Sequence, residues 1–131
     1  MKELLWPTFY VFVGGGIGSA FRFWVATFMQ KTVSLHYPYG TLTVNVVGSF
    51  IIGFIMMYLD SRSPAFTFWR QLLVIGFLGG FTTFSSFSWD TITLFKNHET
   101  GFALLNIGAN LTLCLLAAWA GSLAVSMTNN H

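Results

Sequence analysis

The residues best equipped for chemistry in this chain lie in one run, Gly76-Phe77-Leu78-Gly79-Gly80-Phe81-Thr82-Thr83-Phe84-Ser85-Ser86-Phe87-Ser88-Trp89-Asp90. The run has the apolarity of a bilayer span, yet it carries a glycine pair, five hydroxyls and a carboxylate. Backbone that leaves helical geometry at membrane depth is tolerated only where protein or a polar cavity satisfies its freed groups. Such breaks recur at ion and substrate sites in transporters. Carbonyls released at Gly79 and Gly80 would be hard oxygen ligands for a small cation. In a regular helix Phe81, Phe84, Phe87 and Ser88 would share one side, with Thr82, Thr83, Ser85 and Ser86 spread over the other. Phenylalanines at this spacing also suit lipid or core. Serine and threonine can bond back to their own helix, but four hydroxyls within five residues exceed what one kink needs. Asp90, near the end of the run, can reach the interface, pair with a base or attract a cation. The run points at transport.

Other polar residues share this apolar setting. Gly14-Gly15-Gly16-Ile17-Gly18-Ser19 allows close helix approach. It is no phosphate loop, since no Lys-Ser/Thr follows it and no strand precedes it. Arg22, one turn on, is either a snorkelling anchor or an anion-attracting charge at a vestibule. Asn45, Gly48, Ser49 and Ile52 fall on one helical face. There Asn45 serves either an interhelical hydrogen bond or a pathway donor. Asn106, Asn110 and Cys114 form another stripe and suggest a polar interface. Cys114 is the single cysteine, which excludes an internal disulfide, and with three scattered histidines it makes no zinc pattern.

The elements that must position these groups are helices across a bilayer. The chain is 54% hydrophobic and 8% charged, with mean hydropathy +0.66, against roughly 25% charged residues in ordinary soluble domains. Four apolar stretches, near 5–29, 40–59, 71–95 and 101–127, are each long enough to cross. The expected fold is all-α: one integral-membrane domain over 1–131, four transmembrane helices, a break in the third. The first stretch is too long for a signal peptide and lacks a small-residue cleavage site. Lys2, Arg62 and Arg70 would lie on one side, Lys31 and Lys96 on the other, with Arg22 nearer the second. Such a balance barely specifies orientation. Either something else sets topology or the chain inserts both ways, which would allow an antiparallel homodimer. Closed twofold dimers are the commonest assembly. Dispersed basic residues give no nucleic-acid signature.

Taken together, these residues resemble the Fluc/CrcB family of fluoride channels over nearly the whole chain. The resemblance rests on Gly14 to Gly18 leading to Arg22, on Gly40-Thr41-Leu42 followed by Asn45 and Gly48, and above all on Gly79 to Ser88. It implies passive fluoride export that lowers cytoplasmic fluoride, in a dual-topology antiparallel homodimer with two pores, multi-pass in a bacterial inner membrane. It further implies a structural sodium ion at the dimer centre, held by backbone carbonyls of Gly79 and Thr82. Phe84 and Phe87 match the family's paired pore phenylalanines and Asn45 its pore asparagine. Ser85 and Ser86 match its hydroxyl track, Arg22 its vestibule arginine, and Asn110 a pore-lining position. Ser86 stands where threonine is frequent, and Asp90 where glutamate is common. Hydroxyl and amide donors can replace the water a small, strongly hydrated anion loses; ring edges of Phe84 and Phe87 would suit an anion and their faces a cation, and the resemblance implies the edges.

Three other readings have less support. A proton-coupled exporter of cationic drugs needs a carboxylate near the midplane, whereas Glu3 is terminal and Asp90 lies toward a span end. A purely structural subunit leaves the hydroxyl face and broken helix without a purpose. An intramembrane enzyme lacks its constellation, since His36, His98 and His131 fall in loops or the tail.

Overall fold

The computed structural model describes residues 1–33, 36–60 and 67–129. Arg62 and His131, which entered the charge and histidine readings, lie outside the described residues. Among the described residues the chain is helical throughout, with α1 (Lys2–Thr32), α2 (Tyr39–Asp60), α3 (67–81), α4 (Phe84–Lys96) and α5 (Thr100–Asn129). Four segments are long and apolar enough to cross a membrane: Lys2–Thr32, Tyr39–Asp60, Thr67–Lys96 and Thr100–Met127. The 22 residues of α2 rise about 33 Å, close to the roughly 30 Å hydrocarbon core. The 31 residues of α1 rise about 46 Å, so α1 tilts or projects beyond the bilayer.

The third span divides its loyalties. Its first half, α3, packs along α1, whereas α4 packs chiefly on α5, and α2 packs lengthwise on α5. The change of partner occurs where the helix breaks. Within α3 the nine residues Arg70–Leu78 adopt the wider π-helical winding, which is rare beyond a single turn and frequent at functional sites. Glycine lets this widened helix lie on α1: a Cβ on Gly14 would run into the Leu72 carbonyl, and one on Gly76 would meet Gly14 Cα. The glycine-rich run of α1 is therefore a packing surface.

The buried core is thin. Val44, Leu78, Ala103, Asn106 and Val125 are almost wholly enclosed, while Phe12, Phe23, Trp24, Leu115 and Trp119 lie open. Helices this apolar on their outer faces need lipid or another protein chain as solvent. Between α4 and α5 the turn passes through His98 at φ 61°, the left-handed conformation that ends many helices.

Candidate functional site

The break falls at two threonines. Gly79 (φ −62°, ψ −36°) is still helical, Thr82 is extended at φ −83°, ψ 157°, and Thr83 at φ −153°, ψ 117°. The sequence leads one to expect carbonyls released at the glycine pair; the backbone itself turns away from the helix at the threonines that follow. β-Branched residues prefer extended backbone, and Gly80 serves close packing instead, since a Cβ there would meet the Gly15 backbone. The Gly79 carbonyl is nonetheless released. In a continuous helix it would accept from the Thr83 N–H, which donates instead to Asn45 Oδ1 at 2.8 Å.

Asn45 thus acts as a substitute strand for the broken backbone. Its Oδ1 accepts the Thr83 N–H, and its Nδ2 donates to the Thr83 carbonyl at 3.0 Å. The same Nδ2 donates to Asn110 Oδ1 at 3.1 Å. From there the bonds run on: Asn110 Nδ2 to Asn106 Oδ1 (3.0 Å), Asn106 Nδ2 to Thr91 Oγ1 (2.9 Å), and Thr91 Oγ1 to the Phe87 carbonyl (2.8 Å). One polar chain therefore ties α2, α5 and α4 to the break. Buried polar groups in such surroundings must be satisfied or they cost heavily.

Thr83 also starts α4. Its Oγ1 accepts from the Ser86 N–H at 3.1 Å and donates to Ser86 Oγ at 3.1 Å, with Ser85 Oγ at 3.2 Å. The first of these is an N-cap, and sequence reasoning missed it. The available signal was a threonine placed three residues before a serine at the restart of a helix. Thr91 was also missed; its role depends on α4 meeting α5, which no local pattern encodes.

A mostly apolar cavity of about 410 Å³ opens beside the break. Asn45, Thr83, Phe84, Phe87, Asn110 and Cys114 border it, as do Gly79 and Thr82. Phe84 is 75% exposed and Phe87 8%; their rings stand 5.3 Å apart at 54°. Phe81 does not join them. It is buried and stacks on Phe77 at 5.8 Å, because the extended threonines interrupt the helical phase that would have aligned the three. Ser85 and Ser86 sit outside the cavity lining, on the capped turn.

Arg22 reaches the break from α1, its Nη1 donating to the Thr82 carbonyl at 3.3 Å. Near it Ser19 Oγ lies 3.5 Å from the Gly80 carbonyl. Asp90 accepts a short bond from Thr41 Oγ1 at 2.6 Å, and Lys96 Nζ lies 5.3 Å above the Trp89 ring. Among the described residues no cluster of His, Cys, Asp or Glu could hold a metal. The oxygens expected to hold a cation are the carbonyls of Gly79 and Thr82. The Thr82 carbonyl has a second lone pair beyond the one Arg22 uses, although the guanidinium charge opposes a cation on the same oxygen. Gly79 lies on the exposed surface of the chain.

Known proteins are similar to this chain in sequence. A family model described as CrcB-like protein, Camphor Resistance (CrcB), matches residues 9–122. The fluoride-specific ion channel FluC of Parabacteroides distasonis is 46% identical over 113 residues, 86% of this chain and 88% of its own. That of Solibacter usitatus is 41% identical over 123 residues, 94% of this chain and 97% of its own. That of Vibrio vulnificus (strain YJ016) is 41% identical over 112 residues, 86% and 89% respectively.

Proposed function

This chain belongs to the CrcB-like family, a family of ion channels and not of enzymes, and we propose that it is a fluoride-selective channel of the bacterial membrane that passively exports fluoride. The relatives' shared name supports fluoride as the ion. The observation that carries the reading is local: Phe84, Phe87, Asn45 and Asn110 border one cavity at the break in a membrane-spanning helix.

In this reading fluoride passes along Phe84 and Phe87, whose positive ring edges substitute for water. Asn45 supplies amide donors. Ser85 and Ser86 extend the track of hydroxyls from outside the cavity, held by Thr83. Arg22, held on the Thr82 carbonyl beside the break, adds positive charge that attracts an anion toward the pathway. Extrusion needs no coupling, since a passive pathway lets fluoride run down its own gradient.

The working unit in this reading is an antiparallel homodimer. The thin core and large apolar faces support a partner chain, and the nearly balanced Lys and Arg support insertion in both orientations. Carbonyls of Gly79 and Thr82 from both chains would then hold a structural sodium ion. Hard oxygen ligands suit it, and its charge would tie the two broken helices together.

Growth tests the function. Cells lacking their own fluoride exporter should regain growth on fluoride medium when they express this chain. An Asn45→Asp variant at equal membrane abundance should not rescue them. Failure of the wild-type chain to rescue, when it is present in the membrane, would contradict fluoride export.

A further inference from the structure

The amide chain beside the cavity has a direction, and backbone fixes it at both ends. The Thr83 N–H can only donate and its carbonyl can only accept, so Asn45 must turn its oxygen to the first and one N–H to the second. The remaining N–H of Asn45 points at Asn110, which must answer with oxygen, 3.1 Å away. Asn110 Nδ2 then faces Asn106, whose main-chain and side-chain oxygens lie at 3.1 and 3.0 Å. Asn106 donates onward to Thr91, and Thr91 to the Phe87 carbonyl, again an acceptor only. Turning one amide alone would set two donors or two acceptors face to face. Asn45 and Asn110 border the cavity, whereas Asn106 is 0% exposed and does not.

We infer that the Asn110 side-chain oxygen occupies the very Asn45 N–H that a permeating anion needs, so that Asn110 sets the channel's affinity for the anion and Asn106 is the positioning residue that keeps the oxygen there. The inference rests on the fluoride-channel reading. A small anion is a stronger acceptor than a neutral amide, so it takes the N–H by displacing Asn110 Oδ1. The displaced oxygen carries partial negative charge and stays beside the ion, held by the Asn110–Asn106 bonds. Each entering ion therefore meets an internal competitor that weakens binding and speeds departure, which suits conduction.

Two measurements test this. The first is fluoride efflux from liposomes over a range of fluoride concentrations, for wild type, Asn110→Leu, Asn110→Ser and Asn106→Leu. Asn110→Ser is the gentler change, because its hydroxyl is too short to span to Asn45. Half-saturating fluoride should fall at least threefold in both Asn110 variants. It should move the same way, but less, in Asn106→Leu, which removes the side-chain acceptor and leaves Asn110 Nδ2 only the main-chain oxygen of position 106. A half-saturation unchanged or raised in both Asn110 variants overturns the inference. The second is titration of purified protein with sodium fluoride, following the Asn45 side-chain amide proton resonances. These should shift at lower fluoride in Asn110→Leu than in wild type. Should wild type pass no fluoride while these resonances still respond, the channel reading falls and the inference stands. Resonances indifferent to fluoride in every variant overturn the inference.

Discussion

The carboxamide of Asn45 pairs with the backbone of Thr83 through two hydrogen bonds, 2.8 Å to its N–H and 3.0 Å from its carbonyl. A side chain of α2 thereby completes the hydrogen bonding that the third span gives up when it breaks. Asn45→Asp keeps an acceptor for the Thr83 N–H but loses both donors. One lost partner for a buried polar group costs about 1–3 kcal/mol, and the new negative charge repels an anion. Fluoride efflux should fall at least tenfold, with a lowered unfolding temperature. Wild-type efflux would place Asn45 outside the pathway.

Phe84 and Phe87 separate a functional from a structural effect. Phe84 is 75% exposed in the single chain and Phe87 8%. Phe84→Ile should therefore leave the stability of the single chain's fold less affected than Phe87→Ile does, while cutting fluoride efflux at least tenfold. Phe87→Ile should cut efflux similarly and also destabilise by about 1 kcal/mol, the scale of a core volume change. Undiminished efflux in both would remove the pair from the pathway.

Cys114 is the single cysteine and borders the cavity. A small thiol-specific reagent such as methyl methanethiosulfonate should slow fluoride efflux by narrowing the passage. Cys114→Ser should conduct and resist the reagent. Full modification, verified by mass, with unchanged efflux would show that ions do not cross this cavity.

Tyr37, in the turn before α2, offers a pH signature. It packs on Tyr39 and Phe102, and its hydroxyl is buried without a partner among the described residues. Burial, and then repulsion from Tyr39, push its pKa above the ordinary 10.0. The folded state thus holds the Tyr37 proton more tightly than the unfolded state. Its contribution is complete below pH 10.0 and is lost as pH rises through the folded value. Tyr37→Phe should unfold at the same or higher temperature at neutral pH, since no hydrogen bond is lost, and should lose less stability in strong alkali. An equal alkaline loss in wild type and variant would assign it to other groups.

Much of this architecture was legible in sequence. Four apolar stretches gave the spans, because bilayer thickness dictates their length. Glycines and hydroxyls of the third stretch marked the break, and the carbonyl release expected at Gly79 follows from the extended backbone of Thr82 and Thr83. The residue that makes a break affordable lies 38 positions away, at Asn45, and only tertiary structure brings it to Thr83. Phe81 was grouped with Phe84 and Phe87 because a helical wheel assumes unbroken phase. The stripe of Asn106 and Asn110 was visible as periodicity, but their link to Thr91 and Asn45 was not, since hydrogen-bond direction depends on how α2, α4 and α5 meet. The π winding of Arg70–Leu78 left no local signal; it lies where Gly14 and Gly76 bring α1 and α3 into close contact.

The most direct test is ion release from liposomes that hold the purified chain, followed with a fluoride electrode and, in parallel, a chloride electrode. The account predicts fast fluoride release with negligible chloride release, both without any added energy source. Folded, membrane-inserted protein that releases no fluoride, or releases chloride as readily, would contradict it.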